Sequence, residues 1–199
     1  MQIDTTFKHQ IYHKSKLVPG VEILPDINNW KWLNNLIIDL GGARNSLGYD
    51  KQPTVFKKAG NPDIKTGTAI CYESIYGEYV SKFVRKGANF IFIITNDGWW
   101  RDTPGYKQHA AFARLRAIEN RRSIARSANT GISSFINQRG DIIKSRGWWK
   151  KDVIKAKIKA NGKLTFYTKF GDYLGRISSF LAALILLHWI SYLLMKKRQ

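Results

Sequence analysis

Hydrophobic positions fall into short clusters separated by polar punctuation until about residue 176, and then into one long apolar run. Phe90-Ile91-Phe92-Ile93-Ile94 is an aromatic and β-branched cluster that ends at Thr95-Asn96-Asp97-Gly98. That pattern predicts a strand buried on both faces, followed by a loop. Thr66 to Cys71 predicts a second inner strand, and Ser74 to Arg85 a helix stopped by Gly87. Cys71 therefore falls where a strand hands over to a helix. Tyr106 to Arg126, rich in Ala and Arg, predicts a long helix with Ala111, Leu115 and Ile118 on one side. Ser133 to Ile143 predicts a hairpin turning near Gln138-Arg139-Gly140-Asp141. Alternation of this kind through about residue 145 predicts an α/β sheet covered by helices. Asn29 to Gly60 is less regular, and Gly41-Gly42 with Gly48 to Pro53 marks an excursion from that pattern.

The terminal run changes the picture. Ile177 to Met195 contains no Asp, Glu, Lys or Arg and is closed by Lys196-Lys197-Arg198. At about 1.5 Å per residue a helix of that length reaches roughly 28 Å, the thickness of a bilayer's hydrocarbon core. Trp189 and Tyr192 sit toward one interface. A buried core helix is the competing reading, disfavoured by the terminal position and the cationic close. The basic tail, residues 196–199, favours a cytoplasmic carboxy terminus, although Lys169 and Arg176 flank the other end. Residues 146–176 read as a basic connector with room for a last strand pair. The resulting division is 1–145, 146–176, 177–195 and 196–199.

Composition supports a folded chain: 199 residues at 44% hydrophobic, with seven Trp, can bury one sizeable core. A net charge of +19, from 33 Lys and Arg against 14 Asp and Glu, favours anionic surfaces. The cations are scattered and no nucleic-acid-binding signature accompanies them, which leaves a membrane surface as the expected partner and no nucleic acid. Residues 1–6 have neither the basic nor the apolar region of a signal peptide. With one cysteine, Cys71 is either a small buried hydrophobe or a reactive thiol. A thiol near pKa 8.5 is only a few per cent thiolate at neutral pH, so a reactive role needs a cation beside it and a carboxylate to move the proton.

Several ordered strings meet that need. Tyr12-His13-Lys14-Ser15-Lys16-Leu17-Val18-Pro19, Cys71-Tyr72-Glu73-Ser74 and Asn96-Asp97-Gly98-Trp99-Trp100 resemble the nitrilase superfamily, whose catalytic set is Glu, Lys and Cys. Gln108-His109, Ala113 to Glu119 and Asn129-Thr130-Gly131-Ile132-Ser133 are similar to one branch of it, the apolipoprotein N-acyltransferases. The resemblance covers roughly residues 10–145 and implies part of an αββα sandwich followed by one transmembrane helix. It implies Cys71 as the nucleophile that becomes an acyl thioester, Lys14 as the catalytic lysine, Glu22 as a second glutamate near the site, and Tyr72 and Glu73 as residues supporting the pocket. Lys16 competes with Lys14, and the Tyr-x-Lys placement favours Lys14. Where the superfamily has Pro-Phe-Gly-Glu, this chain has Pro19-Gly20-Val21-Glu22.

The implied reaction takes an acyl chain from a membrane phospholipid and passes it to the amine of a diacylglyceryl-cysteine apolipoprotein, with no cofactor, on the periplasmic face of the bacterial inner membrane. The superfamily's catalytic glutamate precedes its lysine, and Asp4 is the sole carboxylate among residues 1–13. The expectation is an incomplete chain, with an upstream subunit supplying that glutamate and further membrane spans. A nitrilase-type amidase and a non-catalytic membrane-anchored remnant are the alternatives. Trp99-Trp100 reads as packing or an acyl contact, Arg114, Arg116, Arg121 and Arg122 as a solvated or phosphate-facing helix side, and Asn129-Thr130-Gly131 as a strand entry. His13 and His109 lack metal-ligand spacing.

Overall fold

Six strands form one mixed sheet in the order β1 (Val55–Lys58), β2 (Asn61–Ile70), β3 (Phe90–Thr95), β4 (Ile124–Ala128), β5 (Ser133–Ile136) and β6 (Ile142–Arg146). The computed structural model describes residues 9–19, 22 and 48–196. Asp4, the Gly41-Gly42 segment and the last three residues of the tail lie outside that description. Strands β2, β3 and β4 run parallel, and antiparallel partners close both flanks. The parallel pairs require crossovers, which α1 (Gly77–Arg85) and α2 (Pro104–Asn120) supply.

Both helices pack on the same face. Val80, Phe83 and Val84 of α1 and Ala113 and Ala117 of α2 join Ala69, Ile91, Ile93, Ile124 and Ile136 in one buried cluster. The opposite face behaves otherwise: Phe92 is 37% and Ile94 54% exposed. The expectation that β3 is buried on both faces is thus corrected, because among the described residues one layer of helices covers one side of the sheet. The described part of the αββα expectation is one sheet with its helical layer.

The predicted helix Ser74 to Arg85 is two pieces, a 3-10 turn at Cys71–Ile75 and α1, separated at the extended residue Tyr76. Its end falls as expected. Gly87, with φ of 96°, lets Gly87 and Ala88 donate back to the Val84 and Phe83 carbonyls. The predicted helix Tyr106 to Arg126 is too long, since Arg121 turns left-handed and residues 124–128 join the sheet. Its buried side is also the other one: Leu115 and Ile118 are exposed, whereas His109, Arg116 and Asn120 face inward. Arg116 and Arg122, expected in solvent, are 4% and 1% exposed.

Beyond β6 no further strand pair forms. The chain follows an extended path held by side chains and by isolated backbone hydrogen bonds instead of a ladder. Ser123 Oγ and Gln138 reach the Lys159 carbonyl, Arg122 reaches that of Lys163, and Asn161 N donates to Asn89 O. The strap crosses the ends where β3 and β4 begin. It leads into α3 (Phe166–Phe170) and α4 (Tyr173–Lys196), a 24-residue helix exposed along its whole length and long and apolar enough to cross a membrane.

Arg122 anchors this strap. Its guanidinium donates to the carbonyls of Ala88, Asn120, Arg121 and Lys163, and burial lowers its pKa to about 10. Truncation leaves buried acceptors unpaired, at about 1–3 kcal/mol for each that water cannot reach. Arg122→Ala is expected to lower unfolding free energy by about 3 kcal/mol, measured by denaturant titration in detergent. An unchanged midpoint would show that the strap is held elsewhere.

Candidate active site

Cys71 occupies the first residue after β2 and is held in the left-handed region, with φ of 52°. A residue bearing a Cβ pays strain there and stays only if its surroundings impose it. They do so at the peptide that follows it and at the amide of the residue before it. Ser74 Oγ donates to the Cys71 carbonyl at 2.8 Å, and Ile70 N donates to Glu73 Oε2 at 2.7 Å.

Glu73 is fully buried and carries the second half of the site. Its Oε1 accepts from the Tyr12 hydroxyl at 2.5 Å, from Ser15 N at 2.6 Å and from Lys16 N at 3.2 Å. An ionised carboxylate only accepts, so four donors converging on it suit that form. Burial and the Glu73 hydrogen bond push the Tyr12 phenol far above its ordinary range, leaving it a permanent donor. The segment bearing Lys14 is thereby pinned to the turn bearing Cys71.

Lys14 Nζ donates to both Glu22 oxygens, at 2.8 and 2.6 Å, and Val18 N also reaches Glu22 at 2.8 Å. Lys16 goes elsewhere, lying 5.6 Å from the centre of the Tyr79 ring. The two lysines are thus separated by environment. Glu22, Cys71 and Tyr72 line one cavity of about 340 Å³, together with Ile75, Trp99, Trp100, Gln108, His109 and Phe112. Its wall is mainly apolar, and the Tyr72 ring is braced edge-on against Tyr76. Of the residues singled out from sequence, Glu22, Cys71 and Tyr72 share this cavity. Lys14 joins it through Glu22, and Glu73 lies behind it as the tie.

One part of the site had no role in the sequence reading. Asp97, wholly buried, accepts from His109 Nδ1 at 2.9 Å and from Arg126 at 2.8 Å. On its other side, His109 Nε2 lies 3.0 Å from Ser74 Oγ and 3.3 Å from the Cys71 carbonyl. Burial raises the Asp97 pKa, but the His109 hydrogen bond and the Arg126 charge outweigh it and hold the carboxyl below its ordinary value. Gly131 is needed beside it, since any Cβ there would collide with the Asp97 carboxylate. Asp97 and His109 are already committed to Arg126 and Ser74, which makes them a poor seat for a cation. The available signal was the pair of strings Asn96-Asp97-Gly98 and Gln108-His109; assigning Arg126 to a helix hid the third member.

A carbon-nitrogen hydrolase family model matches residues 3–163. The chain belongs to that family. It is 38% identical over 180 residues to an apolipoprotein N-acyltransferase of Chlorobaculum tepidum, covering 89% of this chain and 34% of the relative. It is 33% identical over 168 residues to that of Pasteurella multocida, covering 81% and 30%. The chain spans about a third of the length of these curated relatives. Nit3 of Saccharomyces cerevisiae, a nitrilase-superfamily member of branch 10, aligns with a TM-score of 0.45 at 21% identity, covering 53% of this chain and 41% of its own.

Because the folded-state pKa of Asp97 is depressed, its stabilisation is present above its unfolded value, about 4, and is lost as pH falls through the folded value. Melting temperature should therefore fall below about pH 4. Asp97→Asn should start lower and show a shallower acid decline. An acid limb identical in the two proteins would place the loss on other carboxylates.

Proposed function

We propose that the protein carries the nucleophile of an apolipoprotein N-acyltransferase. The carrying observation is that Cys71 and Glu22, the partner of Lys14, open onto one cavity walled by Trp99, Trp100, Phe112 and Ile75. Such a wall suits an acyl chain better than a small amide. Likeness to the Chlorobaculum tepidum enzyme along most of the chain supports the same reading.

In the first step the Cys71 thiolate attacks the ester carbonyl of a membrane phospholipid. The tetrahedral intermediate collapses to a thioester, and the lysophospholipid alkoxide leaves with a proton. In the second, the free amine of a diacylglyceryl-cysteine apolipoprotein attacks the thioester, loses a proton and restores the thiol. Lys14 stabilises the oxyanion of each intermediate, Glu22 fixes the ammonium, and Tyr72 and Glu73 support the pocket. No cofactor enters this chemistry. The carboxylate that moves the proton is supplied by chain outside these 199 residues, upstream or on a partner subunit. Residues 1–145 form the catalytic unit and 146–176 the connector. Residues 177–195 anchor it in the bacterial inner membrane, with the catalytic unit on the periplasmic face, its cations near lipid headgroups and residues 196–199 in the cytoplasm.

In a strain depleted of its own enzyme, the protein together with a partner supplying the carboxylate should convert diacylated to triacylated lipoprotein, read by mass spectrometry. Cys71→Ser and Lys14→Ala should each abolish conversion, and no acyl adduct should form on the Ser variant, since a hydroxyl is far harder to ionise than a thiol. An adduct at any residue other than 71 would overturn the assignment. General acid–base help is typically worth about 10²- to 10⁴-fold, so omitting the carboxylate should suppress conversion to that extent. Membranes extracted with alkaline carbonate should retain the protein, and release into the supernatant would remove the anchor.

A further inference from the structure

Cys71 is strained, and the Glu73 tie acts on the amide of Ile70, one residue earlier, not on the Cys71 carbonyl. That carbonyl is met from the other side. Ser74 Oγ donates to it at 2.8 Å, and His109 Nε2 lies within 3.3 Å of it and 3.0 Å of the same hydroxyl. His109 Nδ1 is occupied by Asp97, and Asp97 by Arg126. Asp97, His109, Ser74 and Arg126 are all at most 4% exposed. The four come from four different places: the 3-10 turn, the loop just past β3, the middle of β4, and α2. A chain of buried hydrogen bonds assembled from separate elements and ending on one strained peptide has a direction. Water cannot replace its members, so each fixes the next.

We propose that Asp97 and His109 are positioning residues which, with Ser74, clamp the Cys71 carbonyl and hold the nucleophile's backbone in its left-handed turn, thereby setting thiol reactivity. Asp97 orients the imidazole so that Nδ1–H points at the carboxylate. Nε2 is then the acceptor and meets the Ser74 hydroxyl, which shares its one hydrogen between Nε2 and the Cys71 carbonyl. His109 also lines the cavity, but it takes no proton from the reacting groups; its action passes through the turn. The significance of the clamp for acyl transfer rests on the function proposed above, while its effect on the thiol does not.

The chain has one cysteine, so alkylation by iodoacetamide reports on Cys71 alone. The measurement is the alkylation rate against pH for the protein in detergent, with melting temperature recorded for each variant. Loss of one buried hydrogen bond is worth about tenfold in an equilibrium. His109→Ala is expected to lower the rate at neutral pH by about that factor, or to move the midpoint of the profile by about one pH unit. His109→Gln, whose amide can occupy the Nε2 position, is expected to stay within about threefold of the parent. Ser74→Ala, which removes a single hydroxyl, should reproduce the His109→Ala profile if the latter variant fails to fold. Profiles of His109→Ala and Ser74→Ala that superimpose on the parent would overturn the clamp. So would a His109→Gln variant as slow as His109→Ala with the same loss in melting temperature, because simple packing then explains the histidine. Altered alkylation in a protein that transfers no acyl chain would sink the proposed function and leave the clamp standing.

Discussion

The Glu73 carboxylate is the contact on which the rest of the site depends. It sits in the turn that carries the cysteine and accepts three hydrogen bonds from the segment that carries Lys14. These two pieces of chain are about sixty residues apart, and closing such a loop costs entropy that local contacts do not return. Hydrogen bonds to a charged group contribute about 1.5–3 kcal/mol each, roughly twice those between neutral partners. The Tyr12 ring of the same segment packs edge-on against Phe83 in the core, and the remaining contacts, such as Gln10 with the Lys57 backbone and His13 with Asp50, are more exposed. The backbone around Lys14 is therefore tied down by one buried acid, and Glu22 then holds the ammonium.

Placement of the site follows from the sheet. Cys71, Asp97 and the Asn129–Gly131 segment lie just past the carboxyl ends of three adjacent parallel strands, where chain leaving neighbouring strands encloses a crevice. The core beneath is apolar and closely packed, and its strands bring groups distant in sequence to one level. The polar groups of the site sit in the loops above, joined by His109 from α2 and by Arg126, which projects from β4 into the helix side of the sheet.

Much of this was legible beforehand, and the failures share a cause. Period and composition located β3, the hairpin of β5 and β6, the cysteine at a strand end and the terminal apolar helix. The strings around Lys14, Glu22 and Cys71 located the groups that converge on the cavity. What failed was α2, where Ala111, Leu115 and Ile118 define an apolar stripe that faces outward. Helical patterning assumes that the buried side is hydrophobic, and here that side carries His109, Arg116 and Asn120, each bonded to a partner remote in sequence. Arg126 was misread for the same reason. No local rule predicts that a cation will be welcome inside until the acid that receives it has been placed.

The strap after β6 makes a different kind of sense. Its course is held largely through its backbone carbonyls, by Arg122, Ser123 and Gln138, which belong to other parts of the chain. Its own side chains contribute at a few points: Trp148 stacks on Tyr106, Asn161 reaches the Arg121 carbonyl and Thr165 that of Glu119. Between those points, the instructions for where this segment runs are written largely outside it. Its many lysines are free to drift under selection, provided the distant anchors are retained, so related chains should share the path here while differing in the letters.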